Sequence, residues 1–293
     1  MKKLHFRQIQ YHVAYKSKKE SVFHVIKNNY NTWVADPFLF EYHGEVFIFG
    51  EMWINLKSKG VIAYSKWDGD RFSKWHPIIE EDYHLSYPHI FTYDGTIYMC
   101  PESSEANKIY LYKAIKFPCA WEKVCVLAEK GRYVDTTFFT YDNALYGFTY
   151  KLSEKCKDIN GELYIFKIVN GKAVFLDNNP ISKDDRVARP AGKCIIRNNK
   201  LIRVSQNCDG TYGKGLMFSE INFDGMKYEE KLIHEIYPKN IEYDRHFNLI
   251  GVHTFNEIGN YQVIDLRSND FSIILICQKI VNKIYKTIRG RKI

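Results

Sequence analysis

Four ionisable residues interrupt otherwise apolar, strand-like runs and could do acid–base or anion chemistry: Asp36, Glu102, Asp135 and Arg189. A carboxylate can serve as base, nucleophile or acceptor of a sugar hydroxyl. A guanidinium can grip a phosphate or carboxylate through two parallel hydrogen bonds. Glu51, His89, Gln206, Asn207, Tyr212, Arg245 and His253 occupy comparable places and are candidates for holding a substrate. Gln206 and Asn207 suit hydroxyl groups, whereas Arg189, Arg203 or Arg245 suggest an anionic group. Trp33, Trp53, Tyr87 and Tyr212 offer flat faces to a sugar ring, although tryptophans also fill cores. His253 fits three roles that the sequence leaves open: proton carrier, metal ligand or hydrogen-bonded core residue.

Something must bring residues so far apart in the chain together, and a repeat supplies it. Five segments read as strand, tight turn, strand: residues 33–51, 86–102, 134–150, 188–206 and 243–256. Turns fall at Gly44, Asp94-Gly95, Asp142-Asn143, Asn198-Asn199 and near Asn248, the residue types that short hairpins favour. Anchors at Pro37, Pro88, Thr136, Pro190 and His246 are separated by 51, 48, 54 and 56 residues. A period near ~50 residues with a hairpin in each unit is the mark of propeller blades. A second hairpin follows the first in four units. In the fifth only YQVIDL is clear, and HFRQIQYHVAYK with SVFHVIKN from the N-terminus can complete it. The expectation is an all-β, five-bladed β-propeller over residues 1–271, closed by its N-terminal strands. The start of each first strand and the end of the second then meet at one end of the axis, which is where the candidate residues stand.

Residues 272–293 differ. Ile276, Ile280, Val281, Ile284, Tyr285 and Ile288 recur at helical spacing, and six Lys and Arg fill the remaining arc. A basic amphipathic helix is expected, either lying on an anionic membrane surface or packed on the propeller. The net charge of +8 is otherwise scattered, which argues for solvated surface rather than nucleic-acid binding. Phosphorylated substrates remain compatible with it. Seven cysteines without CxxC pairs point to free thiols in a reducing compartment. The N-terminus lacks an apolar core, and no run reaches the ~18 apolar residues of a membrane span. A cytoplasmic protein is the expectation, with peripheral attachment to the inner face of a membrane left open. No cofactor is evident, and a cation on the axis is left open.

The motifs ADPFLF with a following GE, then DTTFF, resemble the five-bladed propellers of family 43 glycoside hydrolases. RPAGK, RVSQNCDGTYG and GVHTFN are more closely similar to the N-terminal propeller of glucosamine inositolphosphorylceramide transferase and its bacterial homologues, over roughly residues 30–265. The resemblance implies a glycan-active propeller in which Asp36 matches the hydrolases' general base. Asp135 matches the carboxylate that tunes the general acid, and Arg189 stands where that acid would be. Hydrolysis needs two carboxyl groups flanking the bond, and an Arg there better suits a phosphate-bearing donor. The reading is therefore glycosyl transfer from a nucleotide- or phosphate-activated donor to a cell-surface polysaccharide or lipid-linked acceptor. Asp36 would activate the acceptor hydroxyl, Arg189 neutralise phosphate, and Glu102 and Gln206 orient sugar hydroxyls. A family 43-like hydrolase and a non-catalytic glycan-binding module are the alternatives.

Overall fold

The computed structural model describes residues 7–153 and 159–271, with Cys277 and Ile280 beyond them. The helix expected over 272–293 therefore lies outside the described residues, those two apart. Five sheets radiate from one axis, antiparallel throughout except where Val22–Val25 pairs in parallel with Glu242–Tyr243. The first blade comprises Thr32–Tyr42, Glu45–Ile54, Lys59–Lys66 and His76–Ile79, running from the axis outward. The second runs from Ser86–Tyr93 and the third from Arg132–Tyr141. The innermost hairpins turn at His43-Gly44, Asp94-Gly95, Asp142-Asn143 and Asn198-Asn199, each pair with both φ values positive. This is the twist a two-residue hairpin needs.

The ring closes through the fifth blade. Arg7–Ser17 pairs along its whole length with Tyr261–Phe271, from Arg7↔Phe271 to Ser17↔Tyr261. Val22–Val25 then pairs outside it. The first and last units of the chain thus share a sheet, which leaves no axial strand edge exposed. Five apolar clusters fill the five gaps between neighbouring blades. The gap between the first two blades, for example, holds Phe38, Phe49, Leu85, Tyr87 and Met99.

The fifth blade corrects the expected register. Its inner hairpin is Phe255–Ile258 against Tyr261–Phe271, turning at Gly259-Asn260 rather than near Asn248. Leu249–Gly251 adds only a short pairing to the same strand. Arg245 and His246 are exposed on the preceding connection. The residue standing two before the first paired position, as Asp36 stands before Phe38, is His253.

One device sets the axial end of the first three blades. Strand pairing slips between Ala35 and Phe38, between Ser86 and His89, and between Val134 and Thr137. Asp36, Tyr87 and Asp135, each the first residue in its slip, have φ of 50, 43 and 51°. A bulge re-aims a side chain, and a left-handed non-glycine residue is strained unless its surroundings enforce it. Here the enforcement turns these side chains toward the axis.

Candidate active site

A cavity of about 420 Å³ opens at that end of the axis, within the range of small-ligand sites. Seven of the eleven expected residues line it: Asp36, Glu51, Glu102, Asp135, Arg189, Tyr212 and His253. Gln206 sits one layer behind, donating from Nε2 to Asp135 Oδ2 at 3.2 Å and to the Pro190 carbonyl at 3.4 Å. Asn207 is also off the wall. Its Oδ1 accepts the Asp209 N–H at 2.9 Å, and its carbonyl accepts the Lys214 N–H, pinning the loop that carries Tyr212.

His89 and Arg245 do not join the site. His89 is buried among Phe38, Phe91 and Phe138, with Nε2 accepting the Phe138 N–H at 3.3 Å. The bulge re-aims Tyr87 instead, whose hydroxyl accepts the Gly192 N–H at 2.6 Å and so reaches from the second blade to the fourth. Arg203 is likewise structural: it donates to the Val187 carbonyl, Tyr228 and Glu230 within the fourth blade and its approach.

Sequence reasoning missed Asp265, which organises the cavity floor. It is fully buried, and Oδ1 accepts the backbone N–H groups of His253 and Thr254, each at 3.0 Å. Oδ2 accepts the Asp36 N–H at 3.0 Å and lies 2.6 Å from His253 Nδ1. His253 Nε2 faces Asp36 Oδ1 at 3.4 Å, and the Thr254 hydroxyl donates to that oxygen at 2.8 Å. Burial pushes Asp265 up, but the imidazolium and the donors outweigh it and hold its carboxyl below the usual value. Burial pulls His253 down, and the two aspartates outweigh that and raise it. For Asp36 burial wins over His253, leaving it raised to about 6.

Asp36, His253 and Asp265 bring donor atoms within 4.8 Å of one another, the arrangement an axial cation would require. Each ring nitrogen already faces a carboxylate, however, so a protonated His253 has no lone pair to give. The cluster as built is a charge-paired chain from Asp265 through His253 to Asp36. The Asp-x-Asp spacing at Asp68-Gly69-Asp70 is an exposed turn in which Asp68 Oδ1 accepts the N–H groups of Asp70 and Arg71.

The opposite wall holds the other carboxyls. Arg189 donates from Nε to Asp135 Oδ2 at 2.5 Å, with its guanidinium centre 4.8 Å from the ring centre of Tyr212 and 5.6 Å from that of Tyr150. Glu102 takes the Ser104 hydroxyl at 2.7 Å. Burial raises both carboxyls, with Glu102 adding to the rise at Asp135 and Asp36 adding to that at Glu102, while Arg189 opposes both. Glu51 is pushed well up by burial and by Asp36, Glu102 and Asp265 together. Burial thus favours the protonated, donating forms of Glu51, Glu102 and Asp135, and Asp36, raised to about 6, can act as a base at neutral pH. Trp33 and Trp53, stacked 5.4 Å apart at 5°, form a flat aromatic side.

A family described as glucosamine inositolphosphorylceramide transferase 1, N-terminal, matches residues 22–256. Glucosamine inositolphosphorylceramide transferase 1 of Oryza sativa subsp. japonica is 31% identical over 216 residues, which cover 71% of this chain and 28% of the relative. The Arabidopsis thaliana protein of that name is 30% identical over 198 residues, covering 65% of this chain and 26% of the relative. The chain thus spans about a quarter of the length of these relatives. Among solved structures, α-L-arabinofuranosidase from Lactobacillus brevis superposes with a TM-score of 0.56 at 14% identity, over 82% of this chain and 85% of the other. Zg3597, a family 117 glycoside hydrolase of Zobellia galactanivorans, gives 0.55 at 13% identity over 92% of each. These structural likenesses show the fold.

Proposed function

The chain belongs to the family of the N-terminal region of glucosamine inositolphosphorylceramide transferase 1, and on that premise we propose that its cavity holds a sugar of the acceptor in a glycosyl transfer. One observation carries this reading: carboxyl groups from three blades, Asp36, Glu51, Glu102 and Asp135, converge in one cavity beside a stacked tryptophan pair. Such a site suits a polyol, because carboxyls exchange hydrogen bonds with hydroxyls and indole faces cover the ring.

In this reading Asp36 takes the proton of the acceptor hydroxyl as its oxygen bonds to the donor's anomeric carbon and the leaving group departs. Glu51 and Glu102, whose protonated forms burial favours, donate to sugar oxygens. Arg189 is already paired with Asp135, so it acts as a fixed part of the wall that holds Asp135 and Glu102 in place, rather than as a clamp on donor phosphate. The basic residues of the C-terminal segment would keep the cavity near a lipid-linked acceptor at an anionic membrane surface on the cytoplasmic side.

The test is calorimetric binding of oligosaccharides and glycolipid headgroups, coupled to turnover with nucleotide-sugar donors. Asp36→Asn should leave glycan affinity within about threefold and lower turnover by 10²–10⁴-fold, the usual contribution of a positioned base. Full turnover in Asp36→Asn would overturn the assignment of the base. Binding by the wild type without turnover under any donor would make the propeller a recognition module.

A further inference from the structure

Beside the acidic cavity lies a second, of about 880 Å³, and the two share Arg132 and Leu152 as a common wall. The single turn at Ser104–Ala106 continues that wall. Ser104 and Glu105 face the first cavity, while Ala106 and Asn107 face the second. The charge reverses across it. Lys108, Lys130, Arg132 and Lys151 line the second cavity, with Glu129 as the one acid among its described lining residues. Glu129 offsets little, since it lies 4.0 Å from Lys108 with both side chains substantially exposed. Lys151 and Lys108 rest their ammonium groups 5.3 and 5.9 Å from the ring centres of Tyr164 and Tyr110.

We infer that this second cavity is an anion subsite that takes a phosphate group carried by the sugar bound in the first. The inference deepens the proposed function and rests on it for the sugar. Three arguments converge on this location. The charged groups of the first cavity already pair with one another, His253 with Asp36 and Asp265. Arg189, the earlier candidate for phosphate, is spent on Asp135. Lys108, Lys130 and Lys151 come from three separate segments and meet in this cavity, and lysines are effective point-charge ligands for phosphate. The ridge of Arg132 between the cavities lets one ligand reach both, sugar on the acidic side and phosphate on the basic side. The phosphate could be the phosphodiester of a lipid headgroup or the diphosphate of a nucleotide sugar.

The test uses the full chain and three probes, inorganic phosphate, glycerophosphoinositol and uridine diphosphate, followed by phosphorus NMR line broadening. A neutral methyl hexoside series is measured in parallel by calorimetry. At least one phosphate probe should broaden with the wild type and weaken as salt rises. The Lys108→Gln/Lys130→Gln/Lys151→Gln variant should lose its affinity by tenfold or more while binding neutral sugar as before. Asp36→Asn should leave the phosphate signal unchanged. Preference for glycerophosphoinositol assigns a lipid source, and preference for uridine diphosphate a donor source. Phosphate binding without any neutral-sugar binding would sustain the subsite and sink the glycan reading. Sugar binding with no phosphate signal, or a triple variant as responsive as the wild type, would overturn the subsite.

Discussion

Asp265→Asn should be among the most damaging single changes of the site, although this residue does not line the cavity. The wild-type carboxylate is fully buried and faces four groups: three backbone N–H at 3.0 Å and His253 Nδ1 at 2.6 Å. Asparagine keeps one acceptor oxygen and turns an NH₂ toward the groups that the other oxygen served. At least one donor is orphaned, and the imidazolium loses its counter-charge. Breaking a buried ion pair from one side costs about 3–5 kcal/mol. With a slope near ~3 kcal/mol/M, the urea midpoint should fall by about 1–2 M. The sign of the pH dependence follows from the two shifts. Asp265 is held below its usual value, so its contribution is present above the unfolded carboxylate value of about 4 and fades below it. His253 is raised, so its contribution is present below about 6.5 and fades as pH climbs through the folded value. The loss in the variant should therefore peak near pH 5–6 and shrink on either side. Nitrogen-detected NMR should show His253 neutral at pH 6 in the variant and protonated in the wild type. A loss under ~1 kcal/mol at pH 6, or a protonated His253 in the variant, would refute the charge-paired chain.

Three further outcomes are expected. Glu51 is raised well above its usual value, so its burial contributes stability below the unfolded value near 4.3 that is lost as pH rises. Glu51→Gln should therefore melt higher than the wild type at pH 8 and about equally at pH 4; the opposite order in a pair of melting curves would count against a protonated Glu51. Trp53→Ala removes half of the stacked pair, and glycan affinity should fall about tenfold, a stacking contribution near 1–1.5 kcal/mol; unchanged calorimetric affinity would remove the tryptophans from the site. Gly192 has φ +142°, and a Cβ there would stand 1.9 Å from the Phe255 carbonyl oxygen at the junction of the fourth and fifth blades. Gly192→Ala should cost more than ~4 kcal/mol and show as insoluble or low-melting protein, whereas Gly210→Ala, also left-handed but with open space around it, should cost only about 1 kcal/mol.

The blades were legible because their turns are made of residues that take positive φ. Asp94-Gly95, Asp142-Asn143 and Asn198-Asn199 mark hairpins by chemistry alone. The fifth blade escaped the same reading because it is assembled from distant pieces. Its inner strand has four residues, Phe255–Ile258, and its outer strands come from the N-terminus. Counting a period through it landed on His246, seven residues before the position that faces the axis. In the second blade the failure was of another kind. Tyr87 and His89 are two apart, so alternation alone cannot separate them, but the bulge inserts residues between paired positions and sends His89 into the gap between blades. The basic cavity was invisible for a related reason: Lys108, Lys130, Arg132 and Lys151 are scattered along the chain, and only the meeting of two blades gathers them.

Asp265 shows how a missed residue could have been found. It lies in Tyr261–Phe271, a strand read as supporting structure, and its neighbours Val263, Ile264 and Leu266 are fully buried or nearly so. Val263, Asp265 and Arg267 share one face by the two-residue period of a strand. A carboxylate and a guanidinium on one face of so apolar a strand cannot both be buried without partners, because an unpaired buried charge is among the costliest features a fold can carry. The partners had to lie on adjoining strands at the axial end. His253 and the backbone N–H of Asp36 serve the carboxylate, and the Tyr212 carbonyl accepts from Arg267 at 2.7 Å. The signal lay in the interior of the fifth hairpin's second strand, where Asp265 is a buried charge among apolar neighbours, and not at the strand ends from which the candidates were drawn.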